Sequence, residues 1–407
     1  MQAIAALGHC VAMVSPERDH FAKITPRDKI PFSRIRHLSV GRFHKRPLLN
    51  APMRAFALAS ALIRHKGYDV VFCRGRFAET PGMDMLLARA FGRTVYTIEH
   101  SPSAAEWPFL MSKRRYGRVM GRCLRRVITV SAEIAEIAAR EFQISADKLC
   151  ICRNWVDPGF HPVSEDRRRL ARQRLGLPQD STVIGYLGRL SADKRVDVLI
   201  EAFRQHLARQ EQSSSVLMIA GEGSSRAALQ EQARLAGIDH QVRFVGWQTD
   251  PRDVLELLDL FVLPSLVEGF PLALMEAMSS GLACLAHPMS STGELIESGR
   301  NGILVDMSGP ELLADELTKL QDAGRSHWMA MGQAAAGTIG QCFSRDIRLH
   351  AVLGALDIAL DVADVPPPYN RAMEYQAGKA KPRGKPLSSS TEGMVGDAGI
   401  EPATPPV

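Results

Sequence analysis

Several classes of protein are excluded by what the sequence lacks. Its apolar runs are broken by charged residues well before the ~18 residues that a transmembrane helix requires. The seven cysteines are scattered, and the one Cys-x-Cys pair, Cys150 and Cys152, has no second pair to complete a zinc site. Aromatic residues make up only 6% of the chain and do not interleave with its basic segments, so nucleic acid is not expected as a partner. We therefore expect a cytoplasmic protein without a transmembrane helix.

With 407 residues, the chain is long enough for two domains. Short β-branched runs alternate with amphipathic segments, a pattern that predicts βαβ units and parallel sheets. The predicted strands are 10–15, 68–73, 94–99, 126–131 and 148–154, followed by 182–188, 215–221, 242–246, 260–265, 282–286 and 302–306. We expect an α/β fold of two doubly wound, Rossmann-like domains with parallel sheets, facing a central crevice that binds the ligand.

The domain boundaries are predicted from changes in composition. A charged segment at 164–178 separates the two series of strands. We predict an N-terminal domain at 1–165, a C-terminal domain at 166–340, a helix packing back on the fold at 341–364 and a disordered tail at 365–407. The tail is rich in Pro, Gly, Ser and charge, a composition that cannot bury a core.

The stretch PSLVEGFPLALMEAMSSG at 264–281 places two carboxylates, Glu268 and Glu276, among mostly apolar residues. It predicts a buried strand, a loop and a helix that starts at Pro271 and ends before Gly281. The free N–H groups of such a helix start suit an anion. Glu276 is the only charge in the predicted helix, so it needs a hydrogen-bond donor or a ligand hydroxyl. Alternatively, Glu276 pairs with a basic residue of the fold and Glu268 only caps the helix.

Two further motifs follow predicted strands of the second half. Gly188, Arg189 and Lys194 combine a flexible turn with two cations, which suits two adjacent phosphates. The turn at 221–223 is Gly-x-Gly, but Arg226 occupies the place of the third glycine of a dinucleotide fingerprint. A turn that faces a nucleotide remains open, whereas hydride transfer is not indicated.

Taken together, these motifs resemble those of glycosyltransferase family 4, whose members have the GT-B fold. The matching motifs are GR-x4-K at 188–194, Gly-x-Gly at 221–223, V-x-F-x-G at 242–246 and Glu-x7-Glu at 268–276. The first half is similar more loosely, through TIEHSPS at 97–103 and RNWVDPGFHP at 153–162. The resemblance implies a retaining transferase that moves a sugar from a nucleoside-diphosphate donor to an acceptor.

The resemblance also implies roles for individual residues. Arg189 and Lys194 would hold the donor diphosphate and stabilise it as it leaves, while Glu268 would bind the transferred sugar and Glu276 the ribose. His100 would lie near the sugar in the crevice, unless it is an ordinary loop histidine. The remaining donor-binding positions are Gly188, Gly221, Val245 (whose backbone would face the base), Gly269, Phe270, Pro271 and Leu272.

The sequence contains no Asp-x-Asp, the usual bridge between metal and diphosphate in the other major transferase fold. Fixed cations and a helix dipole would then neutralise the leaving group. We expect no metal and no cofactor beyond the nucleotide-sugar co-substrate.

The net charge of +6 is concentrated in the segment 112–126. Arg115, Arg118, Arg122 and Arg125 are spaced to lie on one helix face, which suits anionic lipid headgroups or a phosphorylated acceptor. The alternative is a solvated helix face. We expect transfer to a lipid-linked, lipopolysaccharide or exopolysaccharide-type acceptor, with the protein peripheral on the inner membrane face.

Some positions depart from the family pattern. The chain starts in what corresponds to the end of the first helix, so we expect the first strand and its Gly-rich loop to be missing. Trp155 and Arg195 stand where the family commonly has glycine. These departures leave two alternatives open: a degenerate, non-catalytic GT-B protein that binds nucleotide, and a nucleotide-sugar epimerase.

Overall fold

The computed structural model of the protein describes residues 11–15, 35–39, 70–74, 89–90, 94–99, 113–210 and 214–355. They contain two six-stranded sheets, and every strand pair in both is parallel. The predicted tail at 365–407 lies outside the described residues.

The first sheet has the strand order β2-β1-β3-β4-β5-β6. Its strands are β1 (Val11–Ser15), β2 (Ile35–Ser39), β3 (Val70–Arg74), β4 (Thr94–Glu99), β5 (Arg126–Thr129) and β6 (Leu149–Ile151). Its described helices are α1 (Lys113–Cys123) and α2 (Ala132–Arg140). Ser131 caps α2, because its hydroxyl accepts a hydrogen bond from the N–H of Ile134. β1 is paired on both sides, to β2 and to β3.

The second sheet has the order β12-β11-β10-β7-β8-β9. Its strands are β7 (Val183–Leu187), β8 (Val216–Ala220), β9 (Val242–Gly246), β10 (Leu260–Leu263), β11 (Ala283–Ala286) and β12 (Ile303–Leu304). The order reverses between β7 and β10, which are neighbours although two strands separate them in the chain. Ligands in open α/β sheets bind at such a reversal, beyond the carboxyl ends of the strands.

The helices of the second half cover both faces of this sheet. They are α3 (Glu165–Arg174), α4 (Val196–Arg209), α5 (Arg226–Leu235), α6 (Arg252–Leu255), α7 (Leu272–Ser279), α8 (Ser290–Gly293), α9 (Glu311–Ala323), α10 (Arg325–Cys342) and α11 (Arg345–Ala355). Val183 and Ile184, which are neighbours in β7, belong to two different hydrophobic clusters. Each face of the sheet therefore packs against its own helical layer.

The charged segment that sequence analysis treats as a boundary forms α3 and is anchored to the second sheet. The Arg172 side chain is 1% exposed, and its Nη2 lies 2.6 Å from Oδ2 of Asp259. Arg172 also donates to the carbonyl oxygens of Leu257 and Ser181. The guanidinium can be buried because its Nε, Nη1 and Nη2 atoms each donate to an acceptor.

The two halves are tied together by contacts that follow β6. Asn154 Nδ2 donates to the carbonyl oxygen of Phe270 at 2.9 Å. Arg153 forms an ion pair with Glu294, whose Oε1 also accepts from the N–H of Ala132 at 3.3 Å. Loops of the first half are thus fixed against the loop that precedes α7.

Candidate active site

The predicted motifs come together at the reversal of the second sheet. Gly188 and Arg189 directly follow β7, and the loop that carries Glu268 follows β10. Because β7 and β10 are parallel neighbours, their carboxyl ends lie at the same edge of the sheet, and the two loops that follow them are side by side. The first turn of α7, with N–H groups that have no intrahelical acceptor, opens onto the same edge. The helix begins at Leu272, with Pro271 at the N-cap, one residue later than predicted.

The two motifs are joined by a direct ion pair. Lys194 ends a short 3-10 turn after β7, and its Nζ lies 2.7 Å from Oε1 of Glu268. The exposed fractions of the two side chains are only 16% and 18%, so the pair is shielded from solvent. Glu268 is therefore more than the helix cap of the alternative interpretation.

Arg189 is placed differently from Lys194. Its side chain is 61% exposed, and its Nη2 lies 3.4 Å from Oδ2 of Asp193. An exposed ion pair at this distance contributes little to stability. The guanidinium is therefore available to an anion at the edge, next to the more fixed charge of Lys194.

Glu276 lies in the middle of α7 and is partly buried. Within the described part of the chain, no side chain or backbone N–H forms a hydrogen bond or ion pair with its carboxylate. Burial, and then the nearby charges of Asp250 and Asp157, raise the pKa of Glu276 to about 7. The described residues thus do not provide the basic partner of the alternative interpretation, which leaves the carboxylate available to a ligand.

The glycine turns fit closely against each other. The N–H of Gly188 donates to the carbonyl oxygen of Ala220 at 3.0 Å, and that of Leu190 to Glu222 at 2.9 Å. Gly221 has a φ of +141°, and a Cβ added there would lie 1.8 Å from the Gly188 carbonyl oxygen. Only glycine allows this approach. The predicted Gly-x-Gly turn therefore holds the GR-x4-K loop in place.

The loop before α7 is held in place by buried residues. Gly269, Phe270 and Pro271 are buried, whereas Leu272 is 48% exposed. The ring of Phe270 packs against that of Phe343, with centroids 5.6 Å apart. These contacts set the direction in which α7 starts.

Val245 is the last residue but one of β9, and its carbonyl oxygen accepts a 2.7 Å hydrogen bond from Nε2 of Gln248. Its N–H and C=O belong to an ordered strand end beside the Gly-x-Gly turn, since the N–H of Gly221 donates to the Gly246 carbonyl oxygen at 2.8 Å. His100 lies outside the described residues, so its predicted role stays a prediction.

Several residues at this site were not predicted. Asn154 donates to the loop before α7, the charges of Asp157 and Asp250 act on the Glu276 carboxylate, and Arg252 donates to Asp250. Asn154 and Asp157 belong to the RNWVDPGFHP motif, which could have signalled them. Asp250 and Arg252 belong to no motif that the sequence analysis identified.

The basic segment forms α1, in which Arg115, Arg118 and Arg122 are exposed. Arg125 is exposed too, but it lies beyond the helix, which corrects the prediction of one helical face for all four. The helix ends because the chain turns at the buried Leu124 to enter β5. None of the helices in the described ranges is long and apolar enough to cross a membrane.

Two family models match the chain: Glycosyltransferase Family 4 over residues 1–160, and Glycosyl transferases group 1 over residues 167–336. The second match contains every predicted donor-binding residue. The chain belongs to the group 1, family 4 glycosyltransferases.

Curated relatives of this family 4 protein act on different acceptors. The UDP-Gal:alpha-D-GlcNAc-diphosphoundecaprenol alpha-1,3-galactosyltransferase of Escherichia coli is 25% identical over 279 residues, 66% of this chain and 70% of the relative. The D-inositol 3-phosphate glycosyltransferase of Corynebacterium efficiens is 30% identical over 219 residues, 51% of this chain and 50% of the relative. This chain thus spans about half the length of that second relative.

Solved structures share the fold with this family 4 protein. Anabaena Alr3699/HepE in complex with UDP and glucose has a TM-score of 0.69 and 19% identity, and the alignment covers 86% of this chain and 92% of that one. A glycosyltransferase from Rickettsia africae has a TM-score of 0.71 and 18% identity, with coverages of 88% and 92%. The predicted α/β architecture of the GT-B type is therefore confirmed.

Proposed function

We propose that this protein transfers a sugar from a nucleoside-diphosphate donor to a lipid-linked or polysaccharide-type acceptor. The donor would bind to the domain at 166–340 and the acceptor to that at 1–165. The observation that carries this proposal is Glu276, a partly buried carboxylate without a described protein partner beside two cations and a helix N-terminus. Paired ribose hydroxyls satisfy such a carboxylate, and a diphosphate suits the cations.

The reaction breaks the bond between C1 of the sugar and the diphosphate oxygen, and forms a bond from C1 to the acceptor oxygen. The acceptor proton passes to the departing phosphate, on the face from which it leaves, which gives the retention that the family resemblance implies. Arg189, Lys194 and the N–H groups at the start of α7 would stabilise the developing negative charge. Glu268 would hold sugar hydroxyls while its contact to Lys194 keeps that ammonium close to the phosphates.

We further propose that the transfer needs no metal ion, because fixed positive charge is already present where the diphosphate would lie. The expected result is full activity in excess EDTA. Loss of activity in EDTA that Mg²⁺ or Mn²⁺ restores would contradict this part of the proposal.

The donor site is tested by thermal shift with UDP, GDP, ADP and their sugar conjugates on the wild type and on an Arg189→Ala, Lys194→Ala double variant. A ligand that binds only the folded state raises its apparent stability. We expect one nucleotide to give a shift that the double variant loses. No shift with any nucleotide, for a folded wild type, would contradict the proposed donor site.

The membrane part of the proposal rests on the exposed arginines of α1 and on the lipid-linked acceptor named for the Escherichia coli relative. We propose a cytoplasmic enzyme that meets anionic lipid at the inner membrane face. Its test is sedimentation with vesicles that contain phosphatidylglycerol. Reversal of Arg115, Arg118 and Arg122 to Glu should abolish the binding, and unchanged binding would refute this surface.

A further inference from the structure

A tryptophan beside the candidate donor site has no described partner. Trp247 is 75% exposed, more than any other large apolar side chain in the described ranges. No hydrogen bond or ring contact to it is formed by another described residue. An indole ring has a large apolar face that gains free energy when a flat partner covers it.

The backbone on both sides of Trp247 is held firmly. Gly246 has a φ of +71°, in the left-handed region, and its carbonyl oxygen accepts from the N–H of Gly221 at 2.8 Å. On the other side, Nε2 of Gln248 donates to the carbonyl oxygen of Val245 at 2.7 Å. The loop is therefore ordered, and the exposure of the ring is not a consequence of a loose chain.

The distance from Trp247 to the cations after β7 is comparable to the distance between the base and the phosphates of a nucleotide. β9 lies two strands from β7, which places Trp247 roughly 10 Å along the sheet edge from the cations that follow β7. The same loop continues to Asp250, whose charge acts on the Glu276 carboxylate. Trp247 thus lies on the segment that connects the phosphate-binding turns to the ribose-binding carboxylate.

We infer that Trp247 is the platform on which the base of the donor nucleotide stacks. This inference rests on the proposed function, because it assumes that the cations hold the diphosphate and that Glu276 holds the ribose. Stacking on an aromatic side chain contributes to nucleotide affinity without selecting a base by hydrogen bonds. The selection would then fall to the backbone at Val245 and to the ion pair of Glu222 with Arg226, which lies next to Gly246.

The test compares Trp247→Ala and Trp247→Phe with the wild type, by titration calorimetry with UDP, GDP, ADP and inorganic pyrophosphate. Stacked bases are worth enough that the alanine variant should bind the preferred nucleotide about ten-fold more weakly or worse. The phenylalanine variant should recover most of the affinity. Pyrophosphate, which has no base, should bind all three proteins equally.

Two measurements separate the outcomes. Quenching of tryptophan fluorescence by the nucleotide should be present in the wild type and reduced in Trp247→Phe, although the other three tryptophans remain. Leu235→Ala, at a 72% exposed position of α5, is the matched control and should change nothing. Equal losses of nucleotide and pyrophosphate affinity in Trp247→Ala would overturn the inference, because the substitution would then act on the phosphate-binding part of the site. No loss of either would also overturn it, and the donor site of the wild type would stand. A wild type that binds pyrophosphate but no nucleotide would refute the proposed function as well.

Discussion

Replacement of Glu276 by Gln should stabilise the protein at neutral and alkaline pH while it weakens donor binding. The carboxyl has an ordinary pKa of 4.5 when unfolded and a pKa of about 7 in the fold. This rise corresponds to about 3 kcal/mol that the folded state loses when the group must ionise. The group is mostly buried, so solvent screens little of this cost.

The sign of the pH dependence follows from linkage. Below pH 4.5 the carboxyl is protonated in both states and costs nothing. Between 4.5 and about 7 it ionises in the unfolded chain but not in the fold, so the stability of the wild type falls as the pH rises. Above about 7 the full cost is present. The glutamine of the variant is neutral throughout and escapes this loss.

The assay is thermal unfolding of the wild type and Glu276→Gln at pH 5 and pH 8. About 3 kcal/mol in a domain of this size corresponds to roughly 6–12 °C, so the melting temperature of the variant should gain up to that amount on the wild type between the two pH values. Because a buried amide has its own constant cost, the change with pH is the decisive quantity. Glu268→Gln is the control. It should be less stable than the wild type by about 1–3 kcal/mol, since Lys194 loses its nearest carboxylate and keeps the longer contact with Asp193.

The reasoning would be refuted by a difference between Glu276→Gln and the wild type that is the same at both pH values. Such a result would mean that the carboxyl is hydrated or has a partner in solution. A variant that gains stability at pH 8 and still binds the donor with full affinity would separate the burial of Glu276 from the proposed contact with ribose.

Further predictions concern the loop, the core and the proton balance of the site. Gly221→Ala should lose more than 1 kcal/mol of stability and should lose nucleotide binding, because the added Cβ would overlap the facing turn. Gly237→Ala, at a position with φ of +71° and open space around it, is the control and should keep binding. Equal nucleotide binding by both variants would contradict the packing argument. Asp259→Asn leaves the buried Arg172 without its counter-charge and should cost about 3–5 kcal/mol in urea unfolding, so a loss below about 1 kcal/mol would be inconsistent with this pair. Finally, ribose hydroxyls that donate to Glu276 should favour its ionised form, so nucleotide binding near pH 7 should release protons, measurable as a dependence of the binding enthalpy on the buffer; proton uptake would have the wrong sign.

The ends of the strands in the second half could be predicted to within one or two residues, although 302–306 shortens to the two residues of β12. Parallel strands covered on both faces read as continuous apolar runs, as in the SVLMIAG that becomes β8. β2, with the sequence IRHLS, was missed because Arg and His interrupt the pattern in a short segment. Likewise, Arg172 was assigned to a charged boundary, since one sequence position does not reveal that three acceptor oxygens surround a guanidinium.

The candidate site shows the same division. Glu268, Lys194 and Glu276 were each predicted to bind the donor, and the structure brings the first two, which are 74 residues apart in the sequence, into contact. That contact depends on the reversal of strand order, which places the ends of β7 and β10 side by side. The sequence carries the residue types, whereas the pairing is a property of the topology.

The different states of the two glutamates are consistent with a single donor site. Lys194 has a carboxylate partner within the protein, so it is not an isolated charge, and a diphosphate would share that cation with Glu268. Glu276 has no described partner, and its pKa of about 7 means that the carboxyl is partly protonated near neutral pH, which avoids much of the cost of a desolvated charge. Ribose hydroxyls could replace that proton only if the diphosphate is anchored at the same time, since a single pair of neutral hydroxyls gains little against water. The anchor at Lys194 and the carboxylate at Glu276 are therefore expected to act together, with the loop of Trp247 spanning the distance between them.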